Sequence, residues 1–156
     1  MLILLGCLAA AAPVGTHAGG STPLLTVASA DAFAAPAGGR VVELRGSFNF
    51  EDVVEGVFPA GLVVFQGTHF ARFDHAGAVV DGSASLLANG LDAGEVPALL
   101  SQGAPAGAPA ALTLFRADRV TVVLPPGFAP GTASVVLYAV YDGAGFVSNT
   151  LSVTVP

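Results

Sequence analysis

Residues 119–155 read RVTVVLPPGFAPGTASVVLYAVYDGAGFVSNTLSVTV, and this stretch decides the fold. Val120, Val122 and Leu124 alternate with Thr121, Val123 and Pro125. Val135, Leu137, Ala139 and Tyr141 share a face, and Leu151, Val153 and Val155 alternate with Thr150, Ser152 and Thr154. Alternation of this kind belongs to strands, where successive side chains point to opposite faces. It further predicts one buried and one wet face, as in antiparallel sheets. The punctuation fits. Pro130 and Gly131 suit the central positions of a type II turn, where proline presets φ and glycine accepts a positive φ. Asp142-Gly143 is a hairpin signal. Ser148 and Asn149 hydrogen-bond local backbone and tolerate left-handed geometry where the last strand begins.

The front of the chain repeats the pattern. In RVVELRGSF (40–48), Val42, Leu44, Gly46 and Phe48 fall on one face. GLVVFQG (61–67) is continuously apolar between glycines and reads as a more deeply buried strand. HFARFD (69–74) opposes Phe70 and Arg72 to Ala71 and Phe73. The signal weakens from His75 to Ala111, which carries Asn89-Gly90, Pro97, Pro105 and Pro109. Leu86-Leu87 and Leu99-Leu100 support short strands or one turn of helix, but no periodicity lasts long enough to demand a helix. Residues 75–111 are therefore expected as an elaborated loop region, with GAPAGAPA (103–110) as a loop tip or linker. The expected fold class is all-β: an antiparallel β-sandwich with a long Gly/Ala/Pro-rich insertion.

At 156 residues the chain has room for one ordinary domain. Hydrophobic residues make up 53% and charged residues 10%, which excludes a polyelectrolyte-like disordered chain. Net charge is −6, and Arg40, Arg45, Arg72, Arg116 and Arg119 are scattered, with no lysine. Nucleic-acid binding draws its affinity from clustered cations on phosphates, so that partner is excluded. An anionic membrane surface would repel the chain.

The opening MLILLGCLAAAAPVGTHA is apolar as far as Pro13, short of the ~20 residues a spanning helix needs. It fits the apolar core of an export signal over residues 1–18, cleaved after Ala18, with a buried N-terminal segment as the alternative. Residues 19–156 then form the single mature domain. Leu4-Leu5-Gly6-Cys7 resembles a lipobox, in which the cysteine carries a lipid anchor; otherwise Cys7 is a small apolar residue inside the signal. Cleavage after Ala18 leaves no cysteine, hence no disulfide framework and no redox role.

With these residues placed, the chain resembles the IPT/TIG family of immunoglobulin-like domains. The opening match is Pro23-Leu24-Leu25, Ala35-Pro36 and Gly38-Gly39, followed by VVELRGSF (41–48). The closing match is the strand, Pro-Gly turn, strand, Ser-Asn and final strand of residues 120–155. The resemblance implies an immunoglobulin-like sandwich serving as an extracellular spacer or adhesion module, a receptor module, or an intracellular DNA-binding domain. Acidity and the export signal disfavour the last. The middle, 75–111, is longer than the family norm. Absence of tryptophan, with Cys7 the one cysteine, sets the chain apart from antibody domains.

Chemistry is thin. His69, Asp74, His75 and Asp81 form the one compact set of candidate metal ligands, weighed against a plain polar strand end. The plain reading is preferred, since zinc sites show tighter His/Cys spacing. Glu51, Asp52 and Glu55, with Asp92 and Glu95 elsewhere, lack the Asp/Asn-Gly pattern of a calcium loop. The serines of DGSASLL (81–87) lack a Gly-x-Ser-x-Gly elbow, and no histidine follows His75. Phe48, Phe65, Phe70 and Phe73 are expected in the core, with Phe50 and Phe58 more exposed. No catalytic residue and no cofactor is expected. The sequence thus points to an exported, non-catalytic, structural or adhesion-type binding module on the bacterial cell surface. Its partner would be a protein or glycan, with membrane contact only through a lipid on Cys7, and residues 74–111 are the preferred binding surface. A carbohydrate- or protein-binding accessory module, and a small metal-dependent hydrolase using His69 and His75, are the alternatives.

Overall fold

The computed structural model describes residues 25–48, 59–106 and 114–156. They form a sandwich of two antiparallel sheets. The first sheet contains β1 (Leu25–Ala34), β2 (Arg40–Phe48), β8 (Arg119–Leu124) and β7 (Leu114–Phe115), in that order. In the second, β9 (Gly131–Tyr141) pairs with β3 (Ala60–Gln66), followed outward by β4 (His69–Asp74), β5 (Val79–Ser83) and β6 (Ala104–Pro105). The other side of β9 is shared end to end by β10 (Ala144–Val147) and β11 (Leu151–Val155). Every strand pairing in both sheets is antiparallel.

Registers place the alternating residues as their periodicity requires. Val42 lies opposite Val122 and Leu44 opposite Val120 in the first sheet. Leu62 lies opposite Leu137, and Val64 opposite Val135, in the second. These side chains meet between the sheets with Phe48, Phe73, Val153 and Val155, all buried. Burying such a Leu, Val or Phe side chain contributes roughly 1.5–3 kcal/mol relative to exposure, so this layer dominates the energetics.

A second core lies on the far side of the second sheet. Val63, Phe65, Phe70, Val136 and Tyr138 point away from the first sheet, yet all are buried. The cover comes from the stretch between β5 and β6. It makes a 3₁₀ turn at Ser85–Leu87, a second at Ala93–Glu95, and a short helix α1 (Val96–Leu100). Its anchors are Leu87, Leu91, Val96 and Leu99. The outer face of β9 over Val136 and Tyr138 is therefore dry, where alternation alone predicted a wet one. Much of the stretch expected as loop is a packed strap. The continuous apolar run of β3 has the same cause, because that strand is covered on both faces.

Local chemistry starts and stops the strap. The Glu95 carboxylate accepts the Asp92 backbone N–H at 3.1 Å, reaching back across the turn. Pro97 sits in the first turn of α1, where its missing N–H costs nothing. The strap docks over Gly145 of β10, where a Cβ would stand 2.0 Å from the Ala93 carbonyl oxygen.

Candidate functional site

The strap covers only the half of β9 that carries Val136 and Tyr138. Beyond it the same sheet face continues with Thr132 and Ser134 on β9. The register puts Thr154 of β11 opposite Thr132 and Ser152 opposite Ser134, while Phe65 of β3 pairs with Ser134 on the other side. Thr132, Ser152 and Thr154 are exposed and Ser134 is half-buried. Alternate residues of a strand stand about 6.7 Å apart and neighbouring strands about 4.8 Å, so these positions form a small grid. Its four positions on β9 and β11 are all hydroxyl residues.

An open groove of about 450 Å³ runs along this grid where the strap ends. Thr132, Ser134 and Thr150 line it together with Phe65 and with Leu87 and Asn89 of the strap. None of its lining residues carries a charge. Gln66 also lines it, but its carboxamide is engaged: Nε2 donates to the Ala129 carbonyl at 2.9 Å, and Oε1 accepts the Ala129 N–H at 3.0 Å. Asn89 is exposed and makes no side-chain hydrogen bond to the described residues, so its carboxamide is available. The groove can exchange neutral hydrogen bonds. It holds no acid, base or nucleophile activated by a base.

Of the residues singled out as metal ligands, the pleat sets Asp74 apart from His69. His69 packs tilted against Phe128, ring centroids 4.6 Å apart. It shares the inner face of β4 with Ala71 and Phe73, whereas Asp74, an odd number of residues away, takes the opposite face. The Asp74 carboxylate accepts the Ala76 N–H at 2.8 Å and shapes the turn that follows. His75 lies edge-on to Phe115 at 5.8 Å, and Asp81 sits within β5 opposite Ala71. Among the described residues no three His, Cys, Asp or Glu side chains are grouped to hold a metal ion.

The turn residues serve several ends. Pro130 lies at an exposed bend and Gly131 opens β9 with φ 132°, while the chain turns earlier, at Pro126-Gly127, where Gly127 has φ 121°. Asp142 and Gly143 form a two-residue hairpin loop between paired Tyr141 and Ala144, with φ of 49° and 75°. Positive φ at both centres is the signature of a type I′ turn. Ser148 bridges the gap between β10 and β11. Its backbone N–H donates to the Leu137 carbonyl and its Oγ accepts the Leu137 N–H, each at 3.0 Å. Asn149 reaches beyond the turn. Its Oδ1 accepts the Val27 N–H at 2.9 Å and its Nδ2 donates to the Val27 carbonyl at 2.8 Å, where β1 has a register shift. That carboxamide ties the two sheets together.

One polar pair is buried in the second core. Arg72 is 8% exposed and Tyr138 fully buried, and among the described residues neither the Arg72 Nε nor the Tyr138 hydroxyl has a partner at hydrogen-bond geometry. Arg72 donates to the Leu100 carbonyl through Nη2 at 3.4 Å. Burial pushes the Tyr138 phenol up to about 12, with the nearby Arg72 charge pulling the other way.

The hydroxyl grid was half visible in the sequence, as the outward Thr150, Ser152 and Thr154. Its β9 half was hidden, because only the register shows which residues lie beside them. The proposed signal over residues 1–18, Cys7, Glu51, Asp52, Glu55, Phe50 and Phe58 lie outside the described residues. No helix among the described residues is long and apolar enough to cross a membrane. No protein-family model, curated protein or solved structure matches the chain.

Proposed function

We propose that the chain is an exported, non-catalytic, immunoglobulin-like module that binds a component of the cell envelope or its surroundings. The observation that carries this reading is the groove beside the strap. It is a concavity between sheet strands and the strap, of a volume within the ~300–1,000 Å³ range of small-ligand sites, and lined by groups that orient rather than react. The likeness of residues 23–48 and 120–155 to IPT/TIG domains supports an extracellular role. The apolar opening supports export, and a net charge of −6 counts against nucleic acid. The strap itself is a weaker candidate surface than its sequence implied, since its large apolar side chains are spent on the second core.

The test is retention on intact bacterial cells and envelope fractions by the fluorescently labelled protein. Saturable binding that unlabelled protein competes away, and that falls about tenfold when Ser134→Phe fills the groove, is the expected result. Retention that does not saturate, or that Ser134→Phe leaves unchanged in a folded variant, would contradict the reading.

A further inference from the structure

We infer that the groove and the Ser/Thr grid beside it form one binding site for a neutral saccharide; this rests on the binding role proposed above. The first argument is the kind of hydrogen bond on offer. Thr132, Ser134 and Thr150 carry hydroxyls that both donate and accept, and Asn89 carries a separate donor and acceptor. A sugar presents hydroxyls that also do both, at closely spaced positions. A ligand with charged groups would find no counter-charge on these walls, and would lose hydration without compensation. A purely apolar ligand would strand the same hydroxyls without water.

The second argument is the floor. Phe65 lines the same groove and, being 6% exposed, contributes a narrow apolar strip beside the hydroxyls. A pyranose ring has that same division, with C–H groups on its face and hydroxyls at its edge. The third is rigidity. Thr132 and Ser134 stand on the strand that pairs with β3, β10 and β11, so their spacing is set by the sheet before any ligand arrives. Preorganisation lowers the ordering cost of binding. Each hydroxyl exchanged for water still gains little, so the dissociation constant is expected to be about millimolar for a single short oligosaccharide.

The experiment is a titration of the ¹⁵N-labelled protein, followed by amide chemical shifts, with neutral trisaccharides built from glucose, galactose or N-acetylglucosamine. A galacturonic acid trisaccharide is the charged comparator. The expected result is saturable shifts at Asn89, Thr132, Ser134 and Thr150 with at least one neutral sugar, and none with the uronate. Thr132→Val and Ser134→Val together should weaken that binding about tenfold while leaving the dispersed spectrum of a folded chain. No shift at these amides with any neutral sugar would overturn the inference, as would preference for the uronate or unchanged affinity in the double variant. Should cell retention nonetheless saturate and disappear when the cells are treated with protease, the ligand is a protein. The saccharide inference then fails while the binding role stands. Loss of both signals removes both.

Discussion

At the scale of single residues, the fold is closed by side chains standing in for peptide groups. Gln66 pairs with both backbone groups of Ala129, Asn149 with both of Val27, and the Ser148 hydroxyl accepts the Leu137 N–H. Of these, Ser148 is the most sensitive, because it is 6% exposed and the amide it satisfies is in the core strand β9. Ser148→Ala leaves that N–H unpaired, so it is expected to cost about 1–3 kcal/mol in denaturant unfolding; a loss within error would show that the contact is dispensable. Tyr138 gives a second prediction. A phenol raised to about 12 keeps its proton when folded, whereas in the unfolded chain it ionises near 10. Between those values unfolding releases a proton, so stability falls as pH rises, by about 2–3 kcal/mol in all. Tyr138→Phe should flatten that fall and cost little at neutral pH, since among the described residues the hydroxyl has no partner at hydrogen-bond geometry. Equal pH profiles for both proteins would refute the burial argument. Little at this scale was legible in the sequence. Asp142-Gly143 announces its own turn because its geometry is local. Nothing in residues 148–149 says that one of them reaches Val27, 122 positions away.

At the scale of elements, the strap is where sequence and structure part company. Leu87, Leu91, Val96 and Leu99 follow neither the strand nor the helix period across their whole span, because 3₁₀ turns and one short helix interrupt one another. A pattern reader sees proline and glycine and infers a loop. The missing cue was on the other partner: β3 and the middle of β9 are apolar on both faces, which calls for cover on both sides. Gly145 tests the docking. Gly145→Ala places a methyl against the Ala93 carbonyl and the Val96 side chain, so it is expected to destabilise by about 1–3 kcal/mol. Hydrogen exchange should accelerate first in residues 85–100. Uniform acceleration across both sheets would instead show that the strap and the sandwich open together.

At the scale of the whole molecule, three layers result: the first sheet, the second sheet, and a partial cover. The sandwich was legible because two-residue alternation in β2, β8, β9 and β11 survives in the registers, and Val42, Leu44, Val122 and Leu137 meet as that alternation requires. The third layer was not, for the reasons given by the strap. The candidate site depends on both facts, since the groove exists only because the cover ends before the hydroxyl grid begins. The most direct test of this architecture is nuclear Overhauser contact between the strap and the outer face of the second sheet. Cross-peaks from the methyls of Val96 and Leu99 to the Tyr138 ring and the Val136 methyls are predicted. Their absence, with solvent-exchangeable behaviour around Tyr138, would contradict the covered sheet on which the site is built.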